Sequence, residues 1–207
     1  MKLKFGTVLY AISAFALLQV QPLAGQGKLT FQRFPIDNVY INGMSADGNV
    51  VVGKYILPER LDRHAFRWTA LDGLQDIGGD MDAVFISRDG KTIVGTERDS
   101  EGNAQAAIWQ GGQNWRLLGA FPGAVSGSDK FLSNGLGVSG DGSVVIGYAS
   151  TESSVSVEAR HAFRWDAKHG MVDLGDLQGL LSFAAGVSAD GNVVVGSMRR
   201  QQQEERR

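Results

Sequence analysis

Three kinds of side chain in this 207-residue chain have the type and spacing to do chemistry. His64 and His161 each open the same pentapeptide, His-Ala-Phe-Arg-Trp, and His169 follows the second. Imidazoles repeated in register could meet at a ligand or a metal ion. Asp47, Asp89, Asp141 and Asp190 each precede a glycine and follow a serine at two residues' distance. Carboxylates repeated in this way could supply oxygens to calcium. Trp68, Trp109 and Trp165 stand in register and could stack on a sugar ring.

Each chemistry has a structural competitor. A zinc site needs three or four converging ligands, and the place held by His64 and His161 is held by Gln105 in between, a poor metal ligand. A hydrogen-bonding role at the start of a strand accounts for His64, Gln105 and His161, and His169 lies in a turn. Calcium needs several carboxylates close together. Each repeat offers one aspartate beside a glycine, which is turn chemistry. Tryptophans in register read as a packed layer between repeats. Trp115 is out of register and is expected to be exposed. Arg67 and Arg164 lie between aromatics, with Ile108 at the equivalent place, so packing of the arginine stems is expected. No Gly-x-Ser-x-Gly nucleophile turn is present. The glycine-rich spans lack the Lys-Ser/Thr ending and following helix of a phosphate loop. No catalytic, cofactor-binding or metal-binding residue is therefore assigned, and no cofactor is expected.

The elements that would position these residues are repeats. Residues 43–53, 85–95, 137–147 and 186–196 share Ser, then Asp-Gly, then an apolar run, then Gly. Asp-Gly between apolar runs predicts a two-residue hairpin turn with positive φ. Val50-Val51-Val52 lacks alternation, so that strand should be covered on both faces. Its closing Gly53 ends the run or admits a neighbouring backbone. The segment around His-Ala-Phe-Arg-Trp and the one ending Leu-Gln-Asp-Ile-Gly add a third and a fourth strand. Four short strands in about 40 residues have the size of one blade of a β-propeller. The units are 39–78, 82–119, 134–175 and 184–197, the last stopping after two strands. From serine to serine the spacings are 42, 52 and 49 residues. The extra length falls in residues 120–133 and 148–160, which with 54–63 form the long loops. Residues 29–34 read as a lone fourth strand. It could share a blade with the fourth unit and close a ring. Fifteen strands are expected, in an all-β, propeller-like array of about three and a half repeats, forming an incomplete or small ring. The repeat domain spans 29–197, and 198–207 read as a disordered polar tail.

Composition sets the surroundings. Hydrophobic residues at 43% and charged residues at 20% are globular values, and 28 glycines against 4 prolines fit many tight turns. Lys2 and Lys4, an apolar stretch, and a short segment ending Leu-Ala-Gly make residues 1–25 a secretory signal peptide. Its removal leaves a net charge of −4. That balance argues against nucleic acid as partner, and no membrane span is expected after signal removal. There is no cysteine, so disulfides and thiol chemistry are excluded.

His64-Ala65-Phe66 and His161-Ala162-Phe163, with the Ser-x-Asp-Gly copies, resemble the HAF-repeat family of exported bacterial proteins. The resemblance covers residues 39–196 and departs from the pattern at Gln105-Ala106-Ala107. It implies a propeller-like β fold, a secreted or cell-surface location reached through the periplasm, and no defined ligand or catalytic residues. Similar repeats occur in autotransporter passenger regions. The leading expectation is an exported, non-enzymatic binding or structural module. Its extracellular ligand or protein partner is unspecified, its contacts are on the long loops, and its edge strands are open to self-association. The alternatives are a truncated family member or passenger fragment, and a propeller enzyme acting on glycans.

Overall fold

The computed structural model describes residues 16–19, 30–33, 38–56, 63–78, 85–112, 114–124, 131–151, 160–175 and 180–200. They form sixteen strands and no helix. The first unit is β3 (Val39–Met44), β4 (Val50–Ile56), β5 (Arg63–Thr69) and β6 (Gly73–Gly78). The second is β7 (Phe85–Ile86), β8 (Ile93–Arg98), β9 (Ala104–Trp109) and β10 (Arg116–Leu117). The third is β11 (Ser133–Val138), β12 (Val144–Ser150), β13 (Arg160–Asp166) and β14 (Gly170–Asp173). Each is a four-stranded antiparallel sheet in chain order. The fourth unit is a two-stranded sheet, β15 (Leu180–Val187) with β16 (Val194–Arg200).

Two strands stand outside the units. β1 (Ala16–Gln19) pairs antiparallel with β2 (Thr30–Arg33). β1 lies within the stretch read as a signal peptide and is the one strand beyond the fifteen expected. The expected sharing of residues 29–34 with the fourth unit is corrected: β2 pairs with β1, and β15–β16 has no third strand among the described residues. Closing a short loop to a neighbouring strand costs less chain entropy than closing a ring across the whole chain. β16 also runs through Arg200, into the stretch read as a polar tail, because Leu180 and Leu181 of β15 supply backbone partners for Arg200 and Arg199.

The repeated turn differs from the two-residue form expected. Five residues, 45–49, join β3 to β4. The Gly48 amide donates to the Ser45 carbonyl at 3.0 Å, and the Ser45 amide donates to the Val50 carbonyl at 2.9 Å. Gly48, Gly90, Gly142 and Gly191 have φ between 71° and 76°, while the aspartates before them have ordinary negative φ. Aspartate acts here through its carboxylate and not through its backbone. The turns are also bonded in series. Ala46 donates to Arg88, Asp89 to Gly140, and Gly140 to Ala189, all backbone to backbone at 2.9–3.3 Å.

The core lies between units. Val50 and Val52 pack with Ile93, the middle residue of the next apolar run. Val94 clusters with Val145, and Val144 and Ile146 cluster with Val194. The first and third residues of each run thus face forward and the middle one faces back. Trp68, Trp109 and Trp165 join these clusters or the buried face of the first unit. Trp115 is not exposed as expected. It packs into the layer between the first two units, and its indole N–H donates to the Ile77 carbonyl at 2.6 Å.

The closing glycine of the motif permits a β-bulge. The register steps from Ile41↔Gly53 to Gly43↔Val52, leaving out Asn42. Leu136 and Ala185 are left out in the same way opposite Gly147 and Gly196. A methyl group on Gly53 would lie 2.0 Å from the Tyr40 carbonyl oxygen, so only glycine fits.

Candidate functional site

The candidate histidines and the carboxylates beside them are engaged within their own units. His64 Nδ1 lies 2.9 Å from Asp76 Oδ2, and His161 Nδ1 lies 2.9 Å from Asp173 Oδ2. Each bond ties the third strand to the fourth. Asp76 also accepts from the Tyr55 hydroxyl at 2.8 Å and from the Gly78 amide at 2.8 Å. Burial first, then this contact, pushes the Tyr55 phenol well above its usual range. Gln105 donates instead to Asp99 at 2.7 Å. His169 is in a turn, 2.9 Å from Asp166, whose carboxyl is held far down by His169 and then Arg164. Arg164 also pairs with Asp166 directly, and Arg67 donates to Gln75 at 3.2 Å. Among the described residues no three His, Asp or Glu side chains converge as a metal site would require.

The four turn aspartates share one arrangement. The serine hydroxyl donates to the carboxylate at 2.5–2.6 Å in every copy. A backbone amide two residues on donates to the same oxygen at 3.0–3.1 Å. The serine oxygen in turn accepts from the first amide of the apolar run at 2.9–3.0 Å. The serine bond, as the largest cause, lowers the pKa of all four, that of Asp141 to about 2. Carboxylates saturated with donors stay ionised at neutral pH and build turns.

Two features were not anticipated. Ser133 and Ser182 are buried six residues before a motif serine. Ser182 accepts from the Ala162 amide at 2.8 Å and donates to the Gly175 carbonyl at 3.3 Å, and Ser133 does the same with Ala106 and Gly119. The Leu-Ser doublet at 132–133 and 181–182 is the signal that could have shown them. The second feature is a cleft of about 240 Å³ where the first strands of the four units converge. Asn42, Leu136 and Ala185, the residues left out of pairing by the bulges, all line it. A bulged residue has backbone groups released from the strand ladder. Met44, Phe85 and Val138 add apolar surface. Of the long loops expected to carry contacts, residues 57–62, 125–130 and 152–159 lie outside the described residues.

The same arrangement of successive antiparallel units occurs in solved structures. A protein taken for TolB, from Agrobacterium tumefaciens, superposes with a TM-score of 0.55 at 14% identity, over 91% of this chain and 71% of that one. The fold is a β-propeller. TolB from Acinetobacter baumannii gives 0.48 at 17% identity, over 91% of this chain and 52% of that one. The propeller domain of the Trilobed protease from Pyrococcus furiosus, described as having an open velcro topology, gives 0.42 at 11%, over 91% and 75%. No protein-family model and no curated protein matches the chain. Among the described residues the propeller comprises three four-stranded blades and a two-stranded fourth.

Proposed function

We propose that this chain is an exported, non-enzymatic propeller scaffold of the HAF-repeat kind that works by binding. Its ligand contacts are made in the cleft between the inner strands. The observation that carries this reading is the convergence of the three bulged residues, Asn42, Leu136 and Ala185, on one cleft lined by both polar groups and apolar side chains. Released backbone groups beside Met44, Phe85 and Val138 suit an extended, partly apolar peptide, which needs both hydrogen bonds and apolar contact. The non-enzymatic reading is supported by the structural partners of His64, His161 and the turn aspartates. The export reading rests on residues 1–25. Their pairing through Ala16–Gln19 belongs to the uncleaved chain.

The test is selection of a displayed library of short random peptides on the immobilised chain. Enriched peptides should be apolar and should bind Leu136→Asp at least about tenfold more weakly. Enriched peptides indifferent to Leu136→Asp would move the contact surface to the outer loops. Turnover of a polysaccharide panel by the purified chain would replace binding with catalysis.

A further inference from the structure

Among the described residues the fourth blade has two strands, and the seat that a third strand fills in the other blades is open. β4 pairs with β5 from Val50↔Thr69 to Ile56↔Arg63, and β12 pairs with β13 from Val144↔Asp166 to Ser150↔Arg160. In both blades the closing glycine faces a phenylalanine, Gly53↔Phe66 and Gly147↔Phe163. A methyl on either glycine would lie 2.8 Å from that ring, so the ring rests on a bare α-carbon. Gly196 of β16 is the equivalent residue. Its nearest neighbours are backbone atoms of Phe183 and Ala184, from β15. Among the described residues no strand pairs with the other edge of β16.

The edge is ready for pairing. Val193 and Ser188 are bonded to each other, the Val193 amide to the Ser188 hydroxyl and the Ser188 amide to the Val193 carbonyl, both at 2.9 Å. Alternation along the strand therefore turns the amides of Val194, Gly196 and Met198 outward. A wall of the seat is also bare. Ile77, Leu118 and Leu174 hold the same place in successive blades, and they are 7%, 8% and 44% exposed. Ile77 shares its cluster with Trp109, and Leu118 shares its cluster with Phe163 and Trp165. These are third-strand aromatics of the following blade. For Leu174 that strand is absent among the described residues.

We propose that the β16 edge, walled by Leu174, accepts an antiparallel strand from a partner protein carrying a Phe-x-Trp pattern. The phenylalanine seats on Gly196 and the tryptophan lies across from Val194, as Trp68 lies across from Val51. Extending the same register puts the residue three before the phenylalanine opposite Arg199, at the place of Ile56 opposite Arg63. Arg199 is exposed, so an acidic residue there is favoured over the arginine of this chain's own third strands.

The probe is the fluorescein-labelled heptapeptide Glu-His-Ala-Phe-Arg-Trp-Thr, titrated with the full chain and read by fluorescence anisotropy. Saturable binding is expected, several-fold weaker with Arg in place of Glu and at least about tenfold weaker with Ala in place of Phe. Met198→Pro removes an outward amide that the hairpin does not use, and should abolish binding with the thermal melt unchanged. Should that variant unfold, hydrogen exchange on the native chain decides. Peptide-dependent protection of the Val194, Gly196 and Met198 amides supports the site, and its absence overturns it. Absence of binding, or binding indifferent to the Phe→Ala change, also overturns it. So does a concentration-dependent dimer that the peptide does not dissociate, since the edge then belongs to a second copy.

Discussion

His64 and Asp76 are joined at 2.9 Å from the third strand to the fourth of one blade. Where the second blade has Gln105 for this histidine, it has Leu117 for the aspartate. Donor and acceptor are present together or replaced together, as expected of a structural pair. Asp76→Ala leaves the Tyr55 hydroxyl, His64 and the Gly78 amide without their common acceptor. Both side chains are partly exposed, so the expected loss is about 1–2 kcal/mol. His64→Gln keeps a donor and should cost less. Urea denaturation of the two variants checks the order.

The turn aspartates set an acid limit. Their folded pKa values lie below the unfolded value of about 3.9. Their contribution is fully present above about pH 4 and is lost as pH falls through the folded values, about 2 for Asp141. The urea midpoint should fall steeply between about pH 4 and pH 2. Asp141→Asn should reduce that slope while lowering stability at neutral pH. A midpoint independent of pH in this window would contradict the turn role.

Gly53→Ala and Gly73→Ala should differ in kind. A methyl on Gly53 overlaps the Tyr40 carbonyl at 2.0 Å and the Phe66 ring at 2.8 Å. Relief requires undoing the bulge, with an expected loss above about 3 kcal/mol. Gly73 has φ 70° and open space, so its loss should stay near 1 kcal/mol. Thermal melts of the pair separate contact from backbone conformation.

Ser182→Ala leaves the buried Ala162 amide without its acceptor. The expected loss is about 1–3 kcal/mol. Because Ser182 ties the fourth blade to the third, exchange should quicken first at the Ala162 amide and along β15. Uniform loosening of the whole chain would place the bond elsewhere in the hierarchy of stability.

Much of the fold was legible because its signals are local. The Ser-x-Asp-Gly turns bond within five residues, so their hydrogen bonds follow from adjacency. Fourteen of the sixteen strands lie in the repeat units, where a turn and an apolar run announce them. The turn type was misread because Asp-Gly also serves a longer loop in which the aspartate contributes its side chain. Trp115 was misread because its place in the layer depends on the Ile77 carbonyl of the previous blade, 38 residues away. The cleft was invisible because its lining comes from bulged residues with no common side chain, Asn42, Leu136 and Ala185.

The sequence by itself determined the period, the strand order within each blade and the glycine that each bulge needs. These follow from backbone sterics and short-range hydrogen bonds. Only the tertiary structure decided which faces and edges are covered. Val50 and Val52 are 9% and 0% exposed, while Val193 and Val195, in the same motif, are 58% and 61% exposed. The residues are identical and their neighbours are not. Burial is a property of the blade that packs alongside, and a local pattern cannot state whether that blade is there.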